Sequence, residues 1–290
     1  MYFDLKLGYT ILIVSPFVVI EVIMKKIKNS IKIIKEIGLK GFIVKAVKKI
    51  LGFGQYEMMK NFKEIENFFH EKRGLEIGGP SLFFEKKGFM PVYDKLASLD
   101  GVNFSSSTVW TGKINEEKGF VINGKCVGKQ YILDAVDLAS VQKNFYDFVL
   151  SCNNIEHIAN PMKAMKEWLS VLKLGGVLVI VVPRKEANFD HKREIVRFSH
   201  LVGDYENKIG EDDLSHLEEI LELHDMEMGS SVGTMKQFRE RSLKNFENRC
   251  LHQHVFDLNV LEEMCRYFNL SVIKSIQLEG DYVIIGKKTK

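Results

Sequence analysis

Apolar and polar positions along the chain fall into two alternating rhythms. Contiguous apolar runs of strand length are separated by stretches whose apolar residues recur every three or four positions. The clearest example starts at Phe145-Tyr-Asp-Phe-Val-Leu-Ser-Cys-Asn-Asn-Ile-Glu-His157. A helix-period stretch follows, with Met162, Ala164, Met165, Trp168, Leu169, Val171 and Leu172 on one face. Then come a Lys173-Leu-Gly-Gly176 turn and the apolar run Val177-Leu-Val-Ile-Val-Val-Pro183. Two apolar runs joined by an amphipathic segment predict a parallel strand–helix–strand unit. Open α/β sheets bind ligands beyond the C-terminal ends of their strands, so the loop beginning at Cys152 and Asn153 is a candidate site.

The same rhythm extends in both directions. Upstream, Phe62, Ile65, Phe68 and Phe69 predict a helix, and Arg73-Gly-Leu-Glu-Ile-Gly-Gly-Pro-Ser81 predicts a strand over 75–77 followed by a tight turn. Gly78 and Gly79 let the backbone of that turn approach a ligand, Glu76 puts an acid just before it, and Ser81 can cap a following helix. A glycine-rich turn by itself is a weak signal. It gains weight from Asp100, about twenty residues on, where a ribose-binding acid is expected at the end of a second strand. Asp94 competes for that role, because Pro91-Val-Tyr-Asp94 also reads as a strand end. Residues 131–138 predict a third strand ending at Asp134 and Ala135. Near the C-terminus an amphipathic helix over 256–268, with Asp257 as N-cap, precedes two strands at 270–278 and 282–286.

Charge divides the chain. Of the net +3, residues 1–50 supply +7, from ten lysines against Asp4, Glu21 and Glu36, which leaves −4 on the other 240 residues. A mildly acidic body argues against a nucleic-acid substrate. Residues 8–24 are almost wholly apolar, but at 17 residues with Glu21 inside they sit at the lower limit for crossing a bilayer. Isoleucines alternate with lysines from there to Leu51. This is the pattern of a basic amphipathic helix on an anionic membrane surface, and equally of a docking helix with a solvated lysine face. A basic n-region and a small-residue cleavage site are both missing, which excludes a cleaved signal peptide as the expectation. Cys126, Cys152, Cys250 and Cys265 form no CxxC pair, as in a reduced, cytoplasmic chain. The expected organisation is a helical extension over 1–54, with peripheral contact through residues 8–51 at the inner face of the cell membrane, and one α/β domain over 55–290.

The ordered set Asp134-Ala-Val-Asp-Leu138, Tyr146-Asp-Phe-Val-Leu-Ser151, Ile155-Glu-His-Ile-Ala-Asn-Pro161 and Val171-Leu-Lys-Leu-Gly-Gly176 resembles the class I S-adenosylmethionine-dependent methyltransferases. It is most similar to the subtype whose signature runs Leu-Glu-His…Pro and then Leu-Lys-Pro-Gly-Gly. The resemblance covers residues 72–183. It implies a Rossmann-like, seven-stranded α/β sheet with helices on both faces, and S-adenosylmethionine as cofactor. It further implies that Glu76 and Gly78, in the turn that also holds Gly79 and Ser81, contact the methionine end. Asp100 would meet the ribose hydroxyls, Asp134 and Ala135 the adenine, and Cys152 and Asn153 the surroundings of the sulfonium. Two positions depart from the family pattern. Leu174 replaces a proline, and Pro80 replaces the second glycine and cannot donate a backbone N–H.

With the fold accounted for, residues 184–256 are an insertion after the fifth strand, at the ligand edge of the sheet. They hold six of the eight histidines: His191, His200, His216, His224, His252 and His254. Asp190-His-Lys-Arg193 sets an acid and a base beside two cations, Asp212 and His216 share a face if helical, and His252 and His254 share one if extended. The expectation is an acceptor site in which His191 and His254 serve as general bases, since neutral imidazole suits proton removal near pH 7. A divalent metal orienting vicinal hydroxyls is the rival, but strict ligand spacing is missing and no metal is assigned. Histidines bonded only to loop backbone are the plain alternative. The segments 189–193, 211–220 and 249–256 also look similar to methyltransferases of bacterial surface-polysaccharide and glycosyltransferase clusters. The function expected is O-methylation of a hydroxyl on a sugar nucleotide or glycan. A lipid- or quinone-like acceptor, or a non-catalytic module docking a glycosyltransferase complex, are the alternatives.

Overall fold

In a computed structural model of the protein, residues 57–228 and 233–290 are described. The extension over 1–54 and the membrane contact expected of residues 8–51 lie outside them.

The apolar runs become the centre of one sheet. In chain order the strands are β1 (Arg73–Ile77), β2 (Ser98–Asn103), the small hairpins β3 (Ser107–Thr108) with β4 (Gly112–Lys113) and β5 (Phe120–Ile122) with β6 (Lys125–Gly128), then β7 (Gln130–Ile132), β8 (Tyr146–Cys152), β9 (Leu172–Pro183), β10 (Leu270–Gln277) and β11 (Asp281–Lys288). The main sheet has seven strands in the order β10-β11-β9-β8-β1-β2-β7. The five from β9 to β7 are parallel, and β11 runs antiparallel between β9 and β10. The chain starts in the middle at β1, steps out to β2 and β7, then returns to β8 on the other side. Strand order therefore reverses between β1 and β8, which opens a crevice at their C-terminal ends.

Among the described residues, six α-helices accompany the sheet: α1 (Pro161–Val171), α2 (Phe198–Glu206), α3 (Leu217–Leu223), α4 (Met235–Ser242), α5 (Asn245–Asn248) and α6 (Leu258–Tyr267). Side chains alternate across a strand, so Leu178, Ile180 and Val182 of β9 face one core and Val177, Val179 and Val181 the other. The first core takes the apolar faces of α1, α2 and α6, with Trp168, Leu201 and Met264 fully buried. α1 begins as its sequence dictates: Asn160 accepts from the Lys163 N–H at 3.0 Å, and Pro161 follows at a position where no backbone donor is needed. Asp257 caps α6 in the predicted way, accepting from the Val260 N–H at 2.9 Å.

The second face carries the other core. Among the described residues it is covered by Phe62, Phe69, Phe83, Phe84 and Phe120, carried on turns and a short hairpin. The predicted helix after Tyr56 is two 3-10 turns, Phe62–Glu64 and Glu66–Phe68. Its apolar residues Phe62, Ile65 and Phe68 recur every three positions, the repeat of the tighter helix. Gly74 is needed here, because a Cβ on it would fall 2.0 Å from the Phe148 ring. Phe148 lies across β1 as a result, and meets Phe69 edge-on at 5.2 Å.

The insertion packs a small core of its own from Leu217, Ile220, Leu221, Phe238 and Leu251. Among the described residues, no helix is long and apolar enough to cross a membrane.

Candidate active site

A cavity occupies the crevice where strand order reverses. Gly78, Pro80 and Ser81 after β1, Asn103 and Phe104 at the end of β2, Asp134 and Ala135 after β7, and Cys152 to Asn154 at the end of β8 all line it. Gly78 has φ of 80°, and a Cβ there would fall 2.5 Å from Asn154 Nδ2, so only glycine fits. Asn153 has φ of 46° and turns the chain out of β8 while its N–H still reaches the Val181 carbonyl at 2.9 Å. Asn154 Oδ1 is buried in the wall with no hydrogen-bond partner. Trp168 donates its indole N–H to the Ala135 carbonyl at 3.0 Å, which ties the adjacent wall to the core helix. Burial pushes the Cys152 thiol well above its ordinary range, so it stays protonated and neutral.

Of the residues singled out from sequence, Gly78, Ser81, Asp134, Ala135, Cys152 and Asn153 share this cavity. Glu76, Gly79 and Asp100 do not line it. Glu76 is fully buried behind the glycine turn, where its carboxyl accepts from Tyr93 Oη at 2.7 and 2.9 Å and from the Ser81 N–H at 3.0 Å. Burial pushes that carboxyl up to about 8 despite these bonds. A Cβ on Gly79 would fall 2.2 Å from it, so the turn is moulded on the acid, and Gly79 offers its carbonyl to Asn103 Nδ2 at 3.1 Å. Asp100 lies within β2, beside Leu75 of β1, and accepts from the Lys129 N–H and Tyr146 Oη, each at 2.7 Å. The strand runs three residues further than the acid suggested, and Asn103 is the polar group at its end. Asp94 belongs to a turn outside the cavity.

The insertion closes over the same cavity. Arg249, in a left-handed conformation with φ of 51°, reaches Asp134 Oδ2 at 2.9 Å and also bonds Glu211. Burial raises the Glu211 carboxyl, while Arg249 opposes that rise. Asp134 is thus joined to a residue 115 positions away, a link that no local pattern reveals.

A second cavity of about 660 Å³ adjoins the first, and Trp110, Asn153 and His157 line both. Its polar wall carries Glu156, Asp190, His224, Arg241 and His252, and Phe189 and Phe238 supply aromatic surface. His252 Nδ1 lies 2.5 Å from Asp190 Oδ2. A carboxylate only accepts, so this nitrogen carries a proton and donates it. Arg193 fixes both partners: its guanidinium meets Asp190 Oδ1 at 3.2 Å and the carbonyls of His252 and Gln253 at 2.7 and 3.1 Å. Burial would raise the Asp190 carboxyl, but the His252 hydrogen bond and the Arg193 charge hold it below the usual range. Both oxygens of Glu156 are buried without a partner, and burial pushes this carboxyl up to about 7. His157 donates from Nδ1 to the Leu251 carbonyl at 2.9 Å, and burial with the neighbouring His252 holds it down to about 3. Among the described residues two groups have metal-ligating spacing: Glu156, His157 and His252 in this cavity, and His200, His216 and His254 outside it.

The two expected bases lie elsewhere. His191 points to Asp225, with Nε2 2.8 Å from Oδ2, and lines neither cavity. His254 is buried with Nε2 3.2 Å from the Ala159 carbonyl, and burial holds it down to about 3. It faces a third hollow, so His252 and His254 do not share a cavity. Asp190 pairs with His252 rather than with its neighbour His191. The sequence contained one signal for this, an acid and a histidine in the same insertion, but their separation of 62 positions hid the pairing.

Residues 94–180 match the family described as a methyltransferase domain. No curated protein sequence matches the chain. Several solved structures are similar to it at low identity. A putative S-adenosylmethionine-dependent methyltransferase from Listeria monocytogenes is 12% identical over 79% of this chain and 97% of that one, with a TM-score of 0.42. The N-methyltransferase NodS from Bradyrhizobium japonicum is 10% identical over 80% and 96%, with a TM-score of 0.43. A possible histamine N-methyltransferase from Thermotoga maritima is 18% identical over 78% and 87%, with a TM-score of 0.38. At such identities no acceptor carries over from these proteins to this one. The match over residues 94–180 supports methyl transfer, and S-adenosylmethionine is the methyl donor that such a domain uses. The first cavity fits this cofactor: it combines a glycine turn without room for a Cβ, an unpartnered buried amide oxygen, and apolar walls from Ile77, Val102 and Leu133.

Proposed function

We propose that the protein is an O-methyltransferase whose acceptor is a hydroxyl of a sugar nucleotide or glycan, bound in the second cavity and deprotonated by His252. The observation that carries this reading is the Asp190–His252 pair, set with Glu156, His224 and Arg241 in a roomy cavity that shares Trp110, Asn153 and His157 with the first.

S-adenosylmethionine supplies a methyl group activated on a sulfonium. Gly78, Ser81, Asn103, Asp134 and Asn153 would hold it in the first cavity. The chain itself does the rest. Asp190 keeps the His252 proton on Nδ1, so that Nε2 can take the hydroxyl proton as the oxygen is alkylated. Arg193 holds the pair rigid, which matters because a base displaced by about 1 Å costs about 10²-fold in rate. Glu156 offers two unpartnered oxygens to acceptor hydroxyls, and Arg241 Nε and His224 Nε2 are further buried polar atoms without partners. These polar groups suit a polyhydroxylated acceptor. An isoprenoid or quinone would leave these groups buried and unsatisfied, at about 1–3 kcal/mol each.

The test is to incubate the full-length protein with methyl-labelled S-adenosylmethionine and a panel of sugar nucleotides, glycans and lipid extract, with and without chelator. Label is expected in a sugar as an O-methyl group. Label only in lipid, or in an amine, overturns the acceptor class, and label nowhere with intact cofactor binding favours a docking module. Loss of transfer with chelator would assign the Glu156, His157 and His252 group to a metal instead of a free base.

A further inference from the structure

The third hollow lies in the insertion, outside the two cavities above, and is lined by His200, His216, Glu219 and His254 among others. Three separate segments meet there. His200 and Asp204 stand four apart on α2, on one face. His216 immediately precedes α3, and His254 comes from the irregular segment before α6. One nitrogen from each of the three histidines lies within 4.8 Å of the other two. His200 Nε2 is 3.1 Å from His216 Nε2 and 3.3 Å from Asp204 Oδ2, and His254 Nε2 is 3.7 Å from the same Asp204 oxygen. In a tetrahedral zinc site with bonds of about 2.0–2.1 Å, neighbouring ligand atoms stand about 3.3 Å apart. The observed separations bracket that value.

The protein alone leaves this group unsatisfied. Asp204 Oδ2 is buried with no hydrogen-bond partner. His254 is 2% exposed and has a partner for only one ring nitrogen, since Nδ1 is buried and unpartnered. His200 and His216 turn nitrogens towards each other that can share only one proton. A cation between these side chains would satisfy the Asp204 oxygen and replace the proton that His200 and His216 share. The hollow has an entry path, because the His200 side chain is 43% exposed. Glu219, 3.7 Å from His216 Nδ1, is placed to orient that ring from outside. Arg193 borders the hollow, but its charge is already taken by Asp190 and Glu219.

We propose that His200, His216 and His254, with Asp204 beside His200 and His254, form a structural site for zinc or a similar borderline divalent metal. The ion joins α2 to the segments before α3 and α6, and thereby holds the insertion in shape. Imidazole donors with one carboxylate suit zinc rather than magnesium or calcium, which prefer all-oxygen sites. The site is distinct from the Glu156, His157 and His252 group and does not depend on the acceptor reading.

The test uses the full-length protein, stripped with chelator and reloaded with cobalt(II) or zinc. One metal per chain by elemental analysis is expected, with the visible absorption of four-coordinate cobalt and a zinc-dependent rise in melting temperature. All three should persist in His252→Gln and disappear in His200→Gln and His216→Gln, whose circular dichroism should match that of the stripped wild type. Absence of stoichiometric metal in the wild type, or a six-coordinate cobalt spectrum, overturns the proposal. So does metal retained by the double variant H200Q/H216Q, or metal lost on His252→Gln.

Discussion

The parallel sheet and the insertion after β9 build opposite kinds of site from the same chain. Around β1 and β8 the first cavity is shaped mainly by backbone: a glycine turn, a left-handed asparagine and the ends of buried strands. In the insertion the second cavity is shaped by side chains that reach far along the sequence, from Asp190 to His252 and from Arg193 to Gln253. A backbone-built pocket suits a ligand that is always the same, whereas a side-chain pocket can change its ligand with a few substitutions. On the proposed reading, the contrast assigns cofactor binding to the sheet and acceptor choice to the insertion.

The contrast can be broken most severely at its base. Trp168→Ala removes a fully buried ring and leaves the Ala135 carbonyl without its donor, so a loss of about 3–5 kcal/mol in denaturant unfolding is expected. A loss below 1 kcal/mol would mean that the sheet does not support the cofactor cavity as described. Next in size is Arg249→Ala, which strands Glu211 and Asp134 near each other. A cost of about 1–3 kcal/mol is expected, below the figure for a fully buried pair because the Asp134 side chain is 31% exposed. Cofactor affinity measured by calorimetry should fall with it. Unchanged affinity would separate the insertion from the first cavity.

The smallest effect is in pH dependence. Glu156 and Glu76 titrate near 7 and 8 in the folded protein, against an ordinary value of 4.5. Between 4.5 and those values the folded state binds more protons than the unfolded one, so stability falls as pH rises. His157 and His254, held down to about 3 against 6.5, act on the other side: the unfolded state binds more protons, and stability falls as pH drops from 6.5. Between about pH 4.5 and 6.5 the two trends oppose each other, so stability should peak in that mildly acidic range. Glu156→Gln should raise the melting temperature, relative to wild type, more at about pH 8.5 than at about pH 5.5. An equal difference at both would show that Glu156 does not titrate in the folded protein.

The same division governs what the sequence disclosed. Strand ends and helix faces along 145–183 were legible because contiguous apolar runs and the Asn160-Pro161 start are local signals. Asp100 was misleading because a charged residue inside an apolar run reads as its end. The acid is in fact buried mid-strand, compensated by Tyr146 from β8 and a backbone N–H near β7. In the insertion, histidine content was visible but pairing was not. Asp190 stands next to His191 and bonds His252 instead, because the backbone clamp of Arg193 brings the latter segment alongside. Periodicity cannot register such long-range polar contacts.

On the proposed reading, His252 is the base for a hydroxyl acceptor. This is tested most directly by single-turnover methyl transfer from labelled S-adenosylmethionine in wild type and His252→Gln, with cofactor affinity measured on both. The expected result is a transfer rate lower by about 10²–10⁴ in the variant, at unchanged cofactor affinity. A variant that transfers methyl at the wild-type rate would contradict the account.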